Sequence, residues 1–409
     1  MTLNCKFRLL LLLLLAWLTQ GSAMAQDFTK ADTLKYYNAL DFRMINKGFA
    51  NSETPYFRIP GYLKDSVRPT LYERQRCTAG EAFRFRTNSK VVAVRYNLLT
   101  NMYMAHMAPT GIKGTDLYIL DNGQWRFVNC NRPVRDFQNV NRTSPLKDSI
   151  QNKVYIDKMD GQMHEFMLYL PLYDGVNWLE IGVEHDARME MPKVDNPRAD
   201  KKFVFYGTSI LQGGCACRPG MVGTSIIQRD LNAECVNIGI SGEGKMDYCM
   251  ARALAQIPNV TAYIIDPVPN CTLNMCDTLT YNFINILRKA RPNVPIFMVE
   301  GTIYSYAKYS SYYSKYLAEK NYAFHKNYLK LKQENPKNLY YIDSKNLYGP
   351  DNEGTVDGTH YTDIGFYFYA QKLEPYLKAV LNGTKVPYQE VVDKPYPPIK
   401  NPGKYTWDN

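Results

Sequence analysis

The chain has 409 residues, 45% of them hydrophobic, with 49 Lys and Arg against 39 Asp and Glu and a net charge of +10. This is more than one ordinary domain needs and enough to fill two proper cores. The basic residues are spread out and form no block of the kind that tracks nucleic acid, so a nucleic-acid partner is not expected.

The first 25 residues read as a leader outside the fold. Lys6 and Arg8 give a positive start, Leu9 to Leu18 is an apolar run, and Ala23-Met24-Ala25 is a small-x-small cleavage site before Gln26. The run is short for a membrane span, and no later stretch is long and apolar enough to be one. The mature protein is therefore expected to be exported, periplasmic or secreted, with no transmembrane segment. Of nine cysteines, only Cys5 lies in the leader. The spacings Cys215 to Cys217 and Cys271 to Cys276 have no paired C-x-x-C and no nearby His, so metal is not expected. Buried free thiols, or one or two disulfides, are the reading of the other eight.

Residues 26–56 read as a lead-in with one short helix. From about Phe57 to Glu184 the pattern is β. Residues 82–87, 91–96 and 116–120 alternate, and Asp121-Asn122-Gly123 is a hairpin turn into 125–129. Glu165–Tyr173 and Trp178–Val183 are two further strands, with Asp174-Gly175 between them. Short strands at this spacing, with no clear helix among them, predict a jelly-roll-like β-sandwich. Residues 186–200 are polar, carry Pro192 and Pro197, and read as a linker.

Beyond Lys201 the rhythm changes to alternating strands and helices. Strands are expected at 202–206, 234–238, 262–265, 296–300 and 339–342, with helices at 278–290 and 313–334 and a last one from about Thr362 to Leu381. Thr362 or Asp363 caps that last helix. Five such strands make a parallel sheet between two helical layers, a flavodoxin-like α/β/α arrangement. The expected organisation is thus 1–25 leader, 26–195 β-sandwich domain with its lead-in, 196–382 α/β/α domain, and 383–409 proline-bearing tail.

The first parallel strand ends at Gly207-Thr208-Ser209. Ser209 then lies at the C-terminal sheet edge, where open α/β sheets place their ligands. A serine becomes a nucleophile only when a base takes its proton and a third group holds that base. Of the two histidines in this half, His325 falls inside a helix, whereas His360 follows Asp357 in the turn Asp357-Gly358-Thr359-His360. His106, His164 and His185 lie in the β half and read as surface or satisfied core groups. An oxyanion needs donors as well. Gly242 follows the second strand and Asn270 the third, so the Gly242 N–H, the Asn270 amide and the Ser209 N–H are placed at one sheet edge. A plain turn glycine and a loop-capping asparagine are the alternatives. The G-x-S-x-G elbow is absent, and Ser241 does not fit it either.

These blocks resemble the SGNH, or GDSL-type, hydrolases: Ser209 in the first, Gly242 in the second, Asn270 in the third, Asp357 with His360 in the last. Gly114-Thr115-Asp116-Leu117-Tyr118 is similar to the G-x-D-L-Y signature of the β-domain that precedes the hydrolase in one subfamily. Gly207 to Cys215 and Arg218-Pro219-Gly220 also look like that subfamily. The resemblance covers about residues 55–382. Two departures stand out: Thr208 replaces the family's Asp before the nucleophile, and the third block reads Val268-Pro269-Asn270-Cys271 where Gly-x-Asn-Asp is usual. The resemblance implies a five-stranded parallel sheet, ester hydrolysis without a cofactor and, from relatives carrying an added β-domain, removal of acetyl groups from polysaccharides. An acetylated oligo- or polysaccharide is then the expected substrate. The thirty-three tyrosines, dense over Ile303–Tyr313, suit sugars. A lipase or thioesterase, or an inactive glycan-binding scaffold, are the alternatives.

Overall fold

The computed structural model describes residues 31–100, 102–133 and 149–388. The expected leader and most of the expected tail lie outside these residues. Among these residues, ten strands of the first half pair antiparallel: β1 (Lys35–Asn38), β2 (Arg43–Ile45), β3 (Ala82–Thr87), β4 (Val92–Leu98), β5 (Asp116–Asp121), β6 (Gln124–Cys130), β7 (Ile150–Ile156), β8 (His164–Tyr169), β9 (Val176–Val183) and β10 (Met189–Glu190). One sheet runs β1-β9-β4-β7 and the other β10-β3-β8-β5-β6, with β2 beside β3. Alternate residues of both sheets fill the space between them, Phe83 and Phe85 against Val94, Tyr96, Phe166, Leu179 and Ile181. The β5–β6 hairpin turns at Asn122 and Gly123, both at positive φ, which matches the right-handed strand twist.

Several elements differ from expectation. Among the described residues, the lead-in holds two short strands with a 3-10 turn, Ala39–Asp41, between them; the part of the expected helix before Ala31 lies outside the described residues. Tyr36 and Tyr37 pair with Gly182 and Ile181 of β9, and a four-residue strand has no period for a sequence pattern to reveal. Two short helices, α1 (Pro69–Arg74) and α2 (Pro109–Lys113), interrupt the β region, each opened by a proline whose missing N–H costs nothing at a helix start. The expected linker is partly strand: β10 pairs with β3, and β11 (Arg198–Gly207) begins inside it.

The second half is a five-stranded, all-parallel sheet in the order β12-β11-β13-β14-β15, with β12 (Ala233–Gly239), β13 (Val260–Asp266), β14 (Ile296–Val299) and β15 (Leu339–Ile342). Its helices are α3 (Ser209–Gln212), α4 (Gly223–Leu231), α5 (Tyr248–Leu254), α6 (Leu273–Thr278), α7 (Thr280–Ala290), α8 (Ser311–Glu334) and α9 (Asp363–Leu381). Both sheet faces are buried, which is why these strands read as continuous apolar runs. Val204 and Tyr206 face α5 to α8, while Phe203 and Phe205 face α3, α4 and α9. Thr362 caps α9 through the Gly365 N–H.

The two halves share these cores. Phe49, Ile59, Leu63, Val67, Leu71 and Tyr72 pack onto one face of the parallel sheet. Met102, Met107, Ile112, Leu172 and Tyr173 join the core on the other. All eight described cysteines are free thiols, and no described helix is long and apolar enough to cross a membrane.

Candidate active site

Chain direction brings the parallel strands' C-terminal ends to one edge, and the candidate residues follow from the loops there. β11 ends at Gly207, where a side chain would fall 2.6 Å from the Asp266 carbonyl oxygen of β13. Thr208 is extended and caps α3 by accepting the Ile210 N–H, so Ser209 becomes the first residue of a four-residue helix. The Tyr173 hydroxyl, from the first half, donates to the Ser209 carbonyl at 2.8 Å.

The His360 side chain arrives from a tight turn closed by a Thr355–Tyr361 bridge. Gly358 at φ +85° makes that turn possible, and the Ser305 N–H donates to its carbonyl. Cys215, six residues after Ser209, donates its N–H to the Tyr361 carbonyl at 2.8 Å, which ties the two loops together. Ser209 Oγ lies 2.9 Å from His360 Nε2. His360 Nδ1 lies 2.7 Å from Asp357 Oδ2. The other Asp357 oxygen accepts the N–H groups of Thr359 and His360 at 3.0 and 2.8 Å. Burial pushes the Asp357 carboxyl up, but the His360 hydrogen bonds and the Thr359 N–H outweigh it and leave it below the ordinary carboxylate value. An ionised Asp357 fixes the ring with Nδ1–H toward itself and Nε2 free to accept the Ser209 proton.

The turn after β12 lies against the backbone just before Ser209, since a side chain at Gly244 would fall 2.1 Å from the Gly207 carbonyl oxygen. Within this turn the Ser241 N–H donates to Gln212, and those of Glu243 and Gly244 donate to the Ile240 carbonyl. Among the described residues, the Gly242 N–H donates to no protein acceptor, and neither does that of Ser209. Gly242 has φ +73°, and a side chain there would meet nothing within 4 Å. Asn270 ends a 3-10 turn after β13. Its Oδ1 is buried without a hydrogen-bond partner among the described residues. Asn321, by contrast, spends its amide on holding the backbone of Gly301. Among the described residues, the Asn270 side chain caps no loop. Buried Lys320 steadies its turn by reaching the Pro269 carbonyl at 3.4 Å.

The GDSL-like lipase/acylhydrolase family profile matches residues 200–378, and the profile for the N-terminal domain of SGNH-hydrolase-type esterases matches residues 34–189. A GDSL-like protein of Bacteroides ovatus is 31% identical over 85% of this chain and 98% of that one, with a TM-score of 0.78. The chain belongs to the GDSL-like lipase/acylhydrolase family. Two more distant structures share the fold of this GDSL-like chain. The salicylyl-acyltransferase SsfX3 of a tetracycline biosynthetic pathway is 17% identical over 87% of this chain and 96% of its own, with a TM-score of 0.65. A family two carbohydrate esterase from Clostridium thermocellum, solved with cellohexaose, is 14% identical over 74% of this chain and 93% of its own, with a TM-score of 0.54. No curated protein matches the chain.

In this GDSL-like chain the G-x-D-L-Y segment is a docking device. Asp116 is fully buried and accepts from Arg218 Nη1 at 2.9 Å and from the Gly220 N–H at 2.8 Å. The Tyr118 hydroxyl accepts from the same Arg218 nitrogen at 2.7 Å, and Gly220 leaves room for it, since a side chain there would fall 2.3 Å from that oxygen.

Sequence reasoning missed three supporting residues. Arg58 donates to the carbonyls of Asn237 and Gly239 and so holds the end of β12. Arg68 grips Glu243 and Asp247 beyond the Gly242 turn. Gln212 accepts from Ser241 while donating to the Leu172 carbonyl. His106 is a surface group, as read, and its ring centroid stands 5.4 Å from that of His360. None carries a local signal, because each acts on a segment far away in the chain.

Proposed function

We propose that the protein is an exported serine esterase that removes small acyl groups, acetyl above all, from carbohydrates. His360 takes the Ser209 proton, Ser209 attacks the ester carbonyl, and the tetrahedral oxyanion forms against the N–H groups of Ser209 and Gly242 and the amide of Asn270. The imidazolium, held by Asp357, returns the proton to the leaving alcohol. Water, deprotonated by His360, then releases the acid from the acyl-enzyme. The observation that carries this reading is the unbroken chain from Ser209 Oγ to His360 at 2.9 Å and from His360 to Asp357 at 2.7 Å.

A carbohydrate as the leaving alcohol is supported by the tyrosines beside the catalytic turn. Tyr306 packs against Gly358, and Tyr309 and Tyr312 beyond it are 79% and 54% exposed. The fold shared with a carbohydrate esterase points the same way. A longer acyl chain is the second reading, favoured by the exposed Ile303 and by Val356 next to Asp357. Export is supported by the leader-like residues 1–25 and is tested by sequencing the mature N-terminus, expected at Gln26. The decisive experiment compares wild type with Ser209→Ala on p-nitrophenyl esters of increasing chain length and on acetylated glycans. Acetyl esters should turn over fastest, acetate should leave the glycans, and the variant should lose about 10⁴-fold or more. Near-normal activity in Ser209→Ala would remove the nucleophile from this scheme.

A further inference from the structure

We propose that His106, Asp357 and His360 form a site for a divalent transition metal such as zinc, and that its occupancy switches the esterase off. The switching half of this proposal rests on the triad reading above; the metal site does not. One ring nitrogen of each histidine and a carboxylate oxygen of Asp357 all lie within 4.8 Å of one another. Imidazole nitrogen and carboxylate oxygen are zinc's ordinary non-thiolate ligands, and three protein ligands with an open fourth position are a common arrangement. Ligand atoms at the corners of such a tetrahedron stand about 3.3 Å apart, given metal–ligand bonds of about 2.0–2.1 Å. His106 is exposed, so a turn of its side chain is the movement that would bring the cluster to that spacing.

The site is also held from behind. Asp357 is oriented by two backbone N–H groups, and its turn is pinned by the Ser305–Gly358 hydrogen bond. His106 stands at the tip of a first-half loop whose flanks, Met102 and Met107, are buried in the core beneath the parallel sheet. Its backbone position is therefore set by packing. The three ligands come from both halves of the molecule, which is why no ligand spacing is visible in the sequence.

The consequence follows from the use already made of His360. Its Nδ1 bonds Asp357 and its Nε2 bonds Ser209. A metal on Nε2 removes the only lone pair able to accept the Ser209 proton. A metal on Nδ1 displaces the proton that holds the ring to Asp357. Either way the base is lost, and chelation restores it.

The test is a zinc titration of the full chain followed by calorimetry, on wild type, Ser209→Ala, His106→Ala and His106→Gln. Wild type and Ser209→Ala should each bind one equivalent. The two His106 variants should bind at least about tenfold more weakly, having lost one of three ligands. In parallel, metal-free wild type and both His106 variants should hydrolyse p-nitrophenyl acetate at rates within about twofold of each other. Saturating zinc should suppress wild type more than tenfold, reversibly with a chelator, and leave the His106 variants active at the same concentration. No calorimetric binding to wild type, or equal binding by the His106 variants, overturns the site. Binding that depends on His106 but does not inhibit overturns the switch. A metal-free wild type without esterase activity counts against the triad reading instead, while calorimetry still decides the metal site.

Discussion

Arg218→Ala is the sharpest probe of how the β-sandwich is joined to the α/β/α half. Asp116 has no exposed surface, and burial pushes its carboxyl up to about 6 even though Arg218 and the Gly220 N–H pull it back. Against an ordinary value of 3.8, that is a cost of about 3 kcal/mol once the group is ionised. The sign follows from proton counting. Between 3.8 and about 6 the folded state keeps the proton that the unfolded chain has released, so stability falls as pH rises through that window and is level above it. Without Arg218 the carboxyl loses its hydrogen-bonded cation and keeps only the electrostatic pull of Arg229, so the window extends upward. The variant should keep losing about 1.4 kcal/mol per pH unit past pH 6. The ionisation part of the difference from wild type is then near zero at pH 5, about 1.4 kcal/mol at pH 7 and about 2.7 kcal/mol at pH 8. To this is added a pH-independent loss of about 1–2 kcal/mol for the Tyr118 hydrogen bond and the guanidinium stacked 3.8 Å over Phe127. The total at pH 8, about 4 kcal/mol, falls in the range for breaking a buried ion pair by removing one partner. Urea unfolding at pH 5, 7 and 8, followed by far-UV circular dichroism, measures it. Unfolding curves displaced equally at all three values, or by less than about 1 kcal/mol at pH 8, would refute the argument.

Three other outcomes are expected. Asn270→Ala should lower kcat by about 10²–10³-fold with little change in KM, because its amide acts on charge that develops during reaction; a defect confined to KM in steady-state kinetics would assign it to substrate binding. Burial holds the Asp266 carboxyl well above its ordinary value despite the Tyr369 hydroxyl, so the folded state keeps a proton there and loses stability as pH rises above 3.8. Asp266→Asn removes that slope and should gain on wild type between pH 5 and 8 in urea titrations, whereas a constant difference would show Asp266 to be ionised in the fold. Residues 196–409 expressed alone should be poorly soluble and poorly active, because Ile59, Leu71, Met107 and Leu172 would be missing from the two cores they complete; a soluble fragment matching the full chain on acetylated polysaccharide would contradict this.

Much of the architecture was legible because it depends on local pattern. β3 and β5 alternate, as a strand with one face inward must. β11 to β15 are apolar throughout, because helices cover both faces. A chain that alternates strand and helix has little choice but to point its strands one way. That direction alone places the loops of Ser209, Gly242, Asn270 and His360 at one edge. Hydrogen bonds within a turn are local as well, and Asp357 meets His360 across three residues.

What the sequence left open was settled by contacts between distant segments. Strands β1 and β2 exist because β9 and β3 offer them unpaired edges, not because of their own composition. Phe49 reads as lead-in and Ile59 to Tyr72 as β pattern, yet they roof the parallel sheet, since an apolar side chain records that it must be covered and not by what. The freedom of the Gly242 N–H depends on Gln212 and the Ile240 carbonyl having engaged its neighbours. His106 meets His360 only because two methionines bury the base of its loop in the other half's core. Local pattern decided which elements form and which way they point; side-chain packing across more than a hundred residues of chain decided what stands beside the His360 turn.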